Sequence, residues 1–156
     1  MNPRIPSIFL MLIIIGADTS TKEAALLYLE GQVVPVLPML NLTLGFNRGV
    51  SFGLLSADGP AGWWGLVLLT FVVSMFVGWL WYRSRRPLER FAYAAILGGA
   101  LGNLADRLPD GAVTDFIDLH AGGWHFPTFN LADVAISIGV VLLFVSSVFD
   151  LSSRRT

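Results

Sequence analysis

Asp115 and Asp133 are the residues of this sequence whose chemistry most needs an explanation. They lie near the two ends of residues 113–133 (VTDFIDLHAGGWHFPTFNLAD), a stretch that also holds Asp118 and both histidines. The segments on either side are almost entirely apolar, and a carboxylate held beside membrane hydrocarbon is energetically expensive. Carboxylates in such surroundings therefore indicate a functional site.

Two carboxylates that meet at a dry interface cannot both ionise easily, so one holds a proton while the other stays charged. The charged member can take a proton from water, and the protonated member can polarise a carbonyl group. The protons belong to the pair rather than to either residue. Asp133 also has a simpler interpretation, because Asn130 followed by an acid in the first turn is an ordinary helix start.

Composition places the chain among integral membrane proteins. Of its 156 residues, 54% are hydrophobic and only 13% are charged, about half the charged share of a soluble domain. The apolar residues form long blocks, which predicts one membrane domain over residues 1–156. The net charge of −1 gives no signature of nucleic-acid binding. There is no cysteine, and His120 and His125 are the only imidazoles, so we expect no metal and no cofactor.

Four apolar segments have about the 20 residues that a membrane-spanning helix needs. The first begins like a signal-peptide core, but its apolar pattern continues through Leu27, so we expect a retained helix; a cleaved signal peptide is the alternative. The third segment is rich in glycine and alanine, which suits close packing of helices. The predicted spans are residues 5–29, 62–82, 91–108 and 131–151.

The distribution of basic residues predicts the orientation. Most of them flank the ends of the spans that share the side of the termini: Arg4, Arg83, Arg85, Arg86, Arg90, Arg154 and Arg155. Arg48 and Arg107 lie toward the opposite side. The excess of positive charge places both termini in the cytoplasm and turns loops 30–61 and 109–130 outward. The acidic stretch 113–133 then lies at the outer face.

Asp18 and Lys22 lie within the first span, four residues apart and therefore on one face of the helix. Each charge alone would cost about 2.5–3.5 kcal/mol near the bilayer centre, so we expect the two to pair and to face protein. A structural ion pair is favoured over direct catalysis. Asp18 lies deeper in the membrane than the acidic stretch, which also suits a supporting role.

Residues 31–59 do not have a helical pattern. Pro35 and Pro38 interrupt the chain, and residues 40–47 then alternate between apolar and polar side chains, which predicts a strand. Residues 47–49 supply a turn, and residues 50–55 alternate again, so we expect a small hairpin at the membrane surface. An ordinary interfacial loop is the alternative.

Asn103 and Asp106 are three residues apart near the end of the third span, and Arg107 follows directly. They are candidates for the same outward site. The alternative is that Asp106 and Arg107 only end the helix and meet lipid headgroups.

Taken together, these motifs resemble the lipoprotein signal peptidases (signal peptidase II), a family of membrane aspartyl proteases. The resemblance covers nearly the whole chain, with five motifs in matching order. One departure is Thr19, where the family usually has glutamine. The motifs are Asp18 with Lys22, residues 47–52 (NRGVSF), residues 102–107 (GNLADR), residues 113–116 (VTDF) and residues 129–133 (FNLAD).

The resemblance implies a mainly α membrane fold: four transmembrane helices, a small outward β-cradle, a short surface helix and cytoplasmic termini. It puts the catalytic dyad on Asp115 and Asp133 and a supporting pair on Asp18 and Lys22. Residues that shape the site or hold substrate would be Asn47, Gly49, Asn103, Asp106, Arg107 and Asn130.

The resemblance also implies partners and a location. The substrates would be prolipoproteins whose cysteine already carries diacylglycerol, and the cut would fall just before that cysteine. Globomycin-type inhibitors would occupy the same site. We expect a monomer in the bacterial inner membrane, in contact with its lipids.

Two other functions fit parts of the sequence. A small proton- or ion-coupled transporter would use intramembrane carboxylates as a relay, but it would need acids deep in several helices and often shows internal repeats. Here only Asp18 is deep, and no repeat is visible. A non-catalytic lipoprotein-binding subunit is a weaker alternative. Neither function gives a role to Asp118, His120 or His125.

Overall fold

The computed structural model describes residues 4–49 and 59–153, with side chains through residue 149. Within these ranges the chain is mainly helical with one small antiparallel sheet, as predicted. The helices are α1 (Ile5–Tyr28), α2 (Pro60–Arg83), α3 (Pro87–Asp110) and α4 (Leu131–Ser153). The strands are β1 (Val33–Leu37), β2 (Leu40–Asn47), β3 (Val113–Ala121) and β4 (Trp124–His125).

In the described part of the chain, three helical segments are long and apolar enough to cross a membrane: α1, α2 and the Leu131–Phe149 portion of α4. Each of them exposes large apolar side chains such as Phe9, Val72 and Phe144. Exposing these side chains to water would cost free energy, whereas exposing them to lipid tails would not.

Helix α3 lies at the centre of the helical bundle and packs against each of the other three helices. Its length matches theirs, but glycine, alanine and the charged residues at its ends lower its hydropathy. Small residues let the neighbouring backbones approach closely. A Cβ atom on Gly99 would collide with the carbonyl oxygen of Ala132, and one on Gly98 would lie 3.0 Å from Ile14.

The contact at Gly99 gives a testable prediction. We expect Gly99→Ala to lower the free energy of unfolding by about 1–3 kcal/mol, because the added methyl group must push α3 away from the start of α4. Gly78→Ala is the matched control, since nothing lies within 4 Å of a Cβ at that position. Thermal unfolding of the detergent-solubilised protein checks the difference. Equal stability of the two variants would contradict the close packing.

The sheet has the order β1-β2-β3-β4, and every neighbouring pair is antiparallel. The predicted strand at residues 40–47 is confirmed. The described partners of β2 are β1, which a turn before β2 joins to it, and β3. Pro35 lies within β1, an edge strand, where a residue without an N–H group is tolerated. The predicted strand at residues 50–55 lies outside the described residues.

Residues 109–130, predicted as an outer loop, contain β3 and β4. Strand β3 pairs with β2, which places Gly45 opposite Asp115 and Asn41 opposite Asp118. Its first four residues are all buried, so both of its faces are covered and no alternation of polar and apolar residues marks it as a strand. The short surface helix does not occur within residues 4–49 and 59–153 and stays a prediction.

Candidate active site

The start of α4 is a reciprocal capping arrangement between Asn130 and Asp133. The Asn130 side-chain oxygen accepts the Asp133 backbone N–H at 3.1 Å, and the Asn130 backbone N–H donates to Asp133 Oδ2 at 3.3 Å. This pattern satisfies donors that would otherwise be unpaired at a helix start. The simpler interpretation of Asp133 as a helix-start residue is therefore correct, and it also fixes where the carboxylate lies.

The amide nitrogen of Asn130 faces the other aspartate. It donates to Asp115 Oδ1 at 2.7 Å and lies within hydrogen-bond distance of Asn103 Oδ1 (3.1 Å) and of the Thr114 carbonyl (3.3 Å). Asn130 is completely buried. One side chain therefore contacts both aspartates and holds β3 against the first turn of α4.

Asp115 lies on β3 and is only 2% exposed. Burial, and to a smaller extent the negative charge of Asp133, raise the pKa of Asp115 to about 6, while hydrogen bonds from Asn47 and Asn130 act in the opposite direction. The structure therefore places the two carboxylates close enough for the charge of Asp133 to affect the protonation of Asp115. A carboxyl group with a pKa near 6 can exchange protons close to neutral pH.

Asn103 connects Asp133 to the buried cation of α1. Its amide nitrogen donates to Asp133 Oδ1 at 2.9 Å, and its oxygen accepts a hydrogen bond from Lys22 Nζ at 2.8 Å. Together with the contact from Asn130, each oxygen of Asp133 accepts one hydrogen bond. The orientation of this carboxylate is thus set by both α3 and the N-terminal cap of α4.

Lys22 and Asp18 form the predicted pair, with Lys22 Nζ 2.8 Å from Asp18 Oδ2 and 3.6 Å from Asp106 Oδ2. Both members of the pair are buried. The other oxygen of Asp18 accepts the backbone N–H of Ala132 at 2.9 Å. Asp18 therefore holds α1 against the N-terminus of α4, one residue before Asp133.

Asp106 and Arg107 connect α3 to β3 and to the turn at residues 47–49. Asp106 accepts a hydrogen bond from the backbone N–H of Thr114 on β3, so it does more than end α3. Arg107 is buried and donates to the Gly49 carbonyl at 3.2 Å. The Gly49 N–H donates in turn to Asn47 Oδ1 at 3.0 Å, which joins this turn to the Asp115 region.

Two contacts of the site have no sequence signal that would have revealed them. The Trp63 indole N–H donates to the Arg107 carbonyl at 3.0 Å, although the sequence pattern indicates an interfacial anchor at Trp63. The Ala132 N–H that meets Asp18 belongs to the backbone, so no side chain identifies it. Both depend on how helices distant in sequence pack together.

Asp118 does not join the dyad. Its carboxylate hydrogen-bonds His125 Nδ1 at 2.9 Å and accepts from Asn41 Nδ2 at 3.1 Å. The hydrogen bond with His125, followed by that from Asn41, holds the pKa of Asp118 below its usual value. The His120 and His125 rings stack at 5.2 Å. These contacts connect β2, β3 and β4 at the end of the sheet away from Asp115. The described ranges hold no group of three or more His, Asp or Glu side chains that could bind a metal ion.

The fold and the site define a class: a helical membrane protein with two interacting carboxylates where a small sheet meets a helix start. The sequence model of the family described as signal peptidase (SPase) II, Peptidase A8, matches residues 10–149. The chain therefore belongs to the signal peptidase II family of proteases.

Relatives and solved structures agree with this assignment. The lipoprotein signal peptidase of Francisella tularensis subsp. novicida (strain U112) is 40% identical, over 96% of this chain and 95% of its own length. That of Yersinia pseudotuberculosis (strain IP 31758) is 44% identical, over 87% and 82%. A solved structure described as a bacterial membrane enzyme superposes with a TM-score of 0.82 at 29% identity, covering 95% of this chain and 90% of that one. The findings lend no support to the transporter alternative.

Proposed function

We propose that this protein is an aspartic endopeptidase that removes signal peptides from diacylglyceryl-modified prolipoproteins by cutting just before the lipidated cysteine. The observation that carries the catalytic type is the shared contact of Asn130 with Asp115 and Asp133. It fixes a buried and a half-buried carboxylate close together, as general acid–base hydrolysis by activated water requires. Membership of the signal peptidase II family supports the substrate class.

In the proposed mechanism Asp133 is the base and Asp115 is the acid. N–H groups donate to both oxygens of Asp133 at a helix N-terminus, an arrangement that stabilises its charged form. The raised pKa of Asp115 favours a proton there. Asp133 takes a proton from water as the water oxygen attacks the scissile carbonyl, and Asp115 donates a hydrogen bond to the carbonyl oxygen. The proton on Asp133 then passes to the amide nitrogen as the C–N bond breaks and the carbonyl re-forms, which gives a carboxylic acid and an amine and leaves Asp133 charged again.

The remaining predicted residues have positioning roles in this proposal. Asn103 and Asn130 orient the dyad, while Asp18 and Lys22 support it from α1. Substrate binding is proposed for Arg107, Asp106 and the Asn47–Gly49 turn, which surround the dyad on the side of β2. Globomycin-type inhibitors would compete for the same surface.

The same proposal includes four membrane spans, with α3 as the fourth. Helix α3 has 24 residues, about 36 Å at 1.5 Å per residue, which is enough to cross the hydrocarbon core. Its central residues, 92–104, are all buried or half-buried by the other helices, so it does not need high hydropathy. The arginines at the other end of the bundle favour cytoplasmic termini. The site would then face outward from the bacterial inner membrane, in a monomer.

The experiment that tests the function uses purified full-length protein in detergent and a synthetic prolipoprotein peptide. We expect cleavage of the diacylglyceryl peptide on the N-terminal side of its cysteine, detected by the masses of the two products, and inhibition by globomycin. The matched control is the same peptide with an unmodified cysteine, which should stay intact. Cleavage of both peptides would contradict the proposed lipid requirement, and cleavage of neither would contradict the enzyme.

The proposed roles predict a pH profile with a defined sign. The active form has its proton on Asp115, whose pKa is about 6, so kcat/KM should fall as pH rises above about 6. Bound substrate excludes water, which disfavours the ionised form of Asp115 further. The fall in kcat should therefore occur at a higher pH than the fall in kcat/KM. Rates across the pH range, with the lipidated peptide, provide the measurement. A kcat/KM that rises through this range would instead make Asp115 the base.

A further inference from the structure

A basic cavity lies at the end of the bundle opposite the dyad. Its volume is about 560 Å³, within the range of about 300–1,000 Å³ that small-molecule sites occupy. Along α3, about 25 Å of helix axis separates Arg90 in the cavity from Arg107 at the candidate active site. The cavity is lined by Arg4, Tyr82, Arg83, Ser84, Arg85 and Arg90.

Among the described residues, the lining contains four guanidinium groups and no carboxylate. The acid in the adjoining turn is Glu89, which accepts a hydrogen bond from Ser84 at 2.8 Å and lies 3.6 Å from Arg86, a residue outside the lining. Glu89 is therefore already engaged by Ser84 and Arg86, and its carboxylate is not part of the lining. The excess positive charge of the lining favours an anion.

Stacking and backbone contacts hold three of the four arginines in place. The Arg4 guanidinium lies 4.4 Å above the Tyr82 ring, and that of Arg83 lies 5.6 Å from the Trp79 ring centroid. Arg90 is 9% exposed, and its Nε donates to the Ser84 carbonyl at 2.9 Å. Contacts of this kind fix a guanidinium without removing its charge. The cavity is thus preorganised for negative charge.

The helix dipoles at this end of the bundle largely cancel. Helices α1 and α3 begin here, directly after Arg4 and Arg86, whereas α2 ends here at Arg83, and Glu89 lies in the first turn of α3. The positive potential of the cavity therefore comes from its arginines. Their guanidinium groups have the donor geometry that phosphate oxygens accept.

We propose that this cavity binds the phosphate of an anionic phospholipid headgroup from the adjacent membrane leaflet. Exposed apolar side chains continue from its rim along the helices, among them Ile5, Phe9 and Trp79, and acyl chains can lie against them. Basic pockets between transmembrane helices on the cytoplasmic side are a known means of binding such headgroups. The bound lipid holds the ends of α1, α2 and α3 together.

The test measures phospholipid binding to the purified full-length protein by native mass spectrometry. We expect phosphatidylglycerol to bind at least about tenfold more tightly than phosphatidylcholine, and Arg85→Gln to weaken phosphatidylglycerol about fivefold, the effect of one charge near a lipid surface. Arg83→Gln together with Arg85→Gln should weaken it about 25-fold. The matched control is Arg86→Gln, which removes the same charge one residue away, outside the lining, and should weaken binding clearly less than Arg85→Gln does.

Two results would overturn the proposal. Equal losses in Arg85→Gln and Arg86→Gln would mean that the loop attracts lipid only through its net charge. Competition of inorganic phosphate with phosphatidylglycerol, at similar affinity and with the same dependence on Arg85, would make the occupant a soluble anion. Peptide cleavage does not enter this test, so its outcome is independent of the proposed function.

Discussion

Asp115→Asn is expected to abolish cleavage of a lipidated prolipoprotein and at the same time to stabilise the protein. Loss of a carboxyl group that acts at the reacting bond should lower kcat on the order of 10⁴-fold. The amide has nearly the same shape as the protonated carboxyl group, so it can still accept the hydrogen bond from Asn130 and it meets Asn47 as that neutral form does. We therefore expect the site to keep its geometry while it loses its chemistry.

The gain in stability follows from the direction of the pKa shift. Asp115 has a pKa of about 6 when folded, against a usual value of 3.8, so the folded state binds more protons than the unfolded state between these values. Stability therefore falls as pH rises from about 4 to about 6, by up to about 3 kcal/mol. Replacing Asp115 by asparagine removes this cost above about pH 6 and leaves the stability at about pH 4 nearly unchanged.

Asp133→Asn is the matched comparison. Cleavage should fall by a similar factor, but we expect this variant to be less stable than Asp115→Asn at neutral pH. An amide has one acceptor oxygen, so its NH₂ group must face a donor, either Asn103 Nδ2 or the Asn130 N–H. A buried polar conflict of this kind costs about 1–3 kcal/mol.

Cleavage assays and thermal unfolding at about pH 4 and about pH 7 separate these effects. Normal processing of the lipidated peptide by either variant would rule out the dyad. An Asp115→Asn variant that is inactive but no more stable at neutral pH would contradict the account of its buried charge, while leaving its catalytic role in place.

Lys22→Met should cause a large loss of stability. Lys22 is 3% exposed and is the cation for Asp18, which is fully buried. Removing one partner of a buried ion pair typically costs about 3–5 kcal/mol, because the other charge is left uncompensated. Asn103 also loses its hydrogen-bond donor, so we expect kcat to fall as well.

A double-mutant cycle with Asp18→Asn distinguishes loss of pairing from loss of packing. The double variant has no buried charge at either position, so it should be more stable than the sum of the two single effects predicts, by about 0.5–3 kcal/mol. Asparagine at position 18 can still accept the Ala132 N–H. Glu23→Gln, at an exposed position on the same helix, controls for neutralising a charge. If the two single effects instead add up, the ion pair contributes little to stability beyond the packing of its side chains.

The features that were predictable from sequence are those with a local signature. Four apolar segments correspond to four helices, the alternation at residues 40–47 corresponds to β2, and the spacing of Asp18 and Lys22 corresponds to an ion pair on one helical face. Each depends only on residues close together in the chain. The periodicities of helix and strand are enough to identify them.

The features that could not be predicted depend on packing between distant segments. The Asp18 contact with the Ala132 N–H joins α1 to α4, and no side chain marks the backbone donor. Asp118 had no assigned role because its partners, Asn41 and His125, meet it only when β2, β3 and β4 assemble. Strand β3 was missed because both of its faces are buried, which removes the alternation that identifies a surface strand.

The capping arrangement at the start of α4 determines the stage of folding at which the proposed site is complete. Asp133 is both the third residue of that helix and a proposed catalytic group, and its two oxygens are oriented by Asn130 and by Asn103 of α3. Helices inserted separately into a bilayer would each be stable before they associate. None of them alone would contain a dyad. In the proposed mechanism, hydrolytic activity therefore arises only after α3, α4 and the sheet have docked, and we expect a partly assembled chain to be inactive.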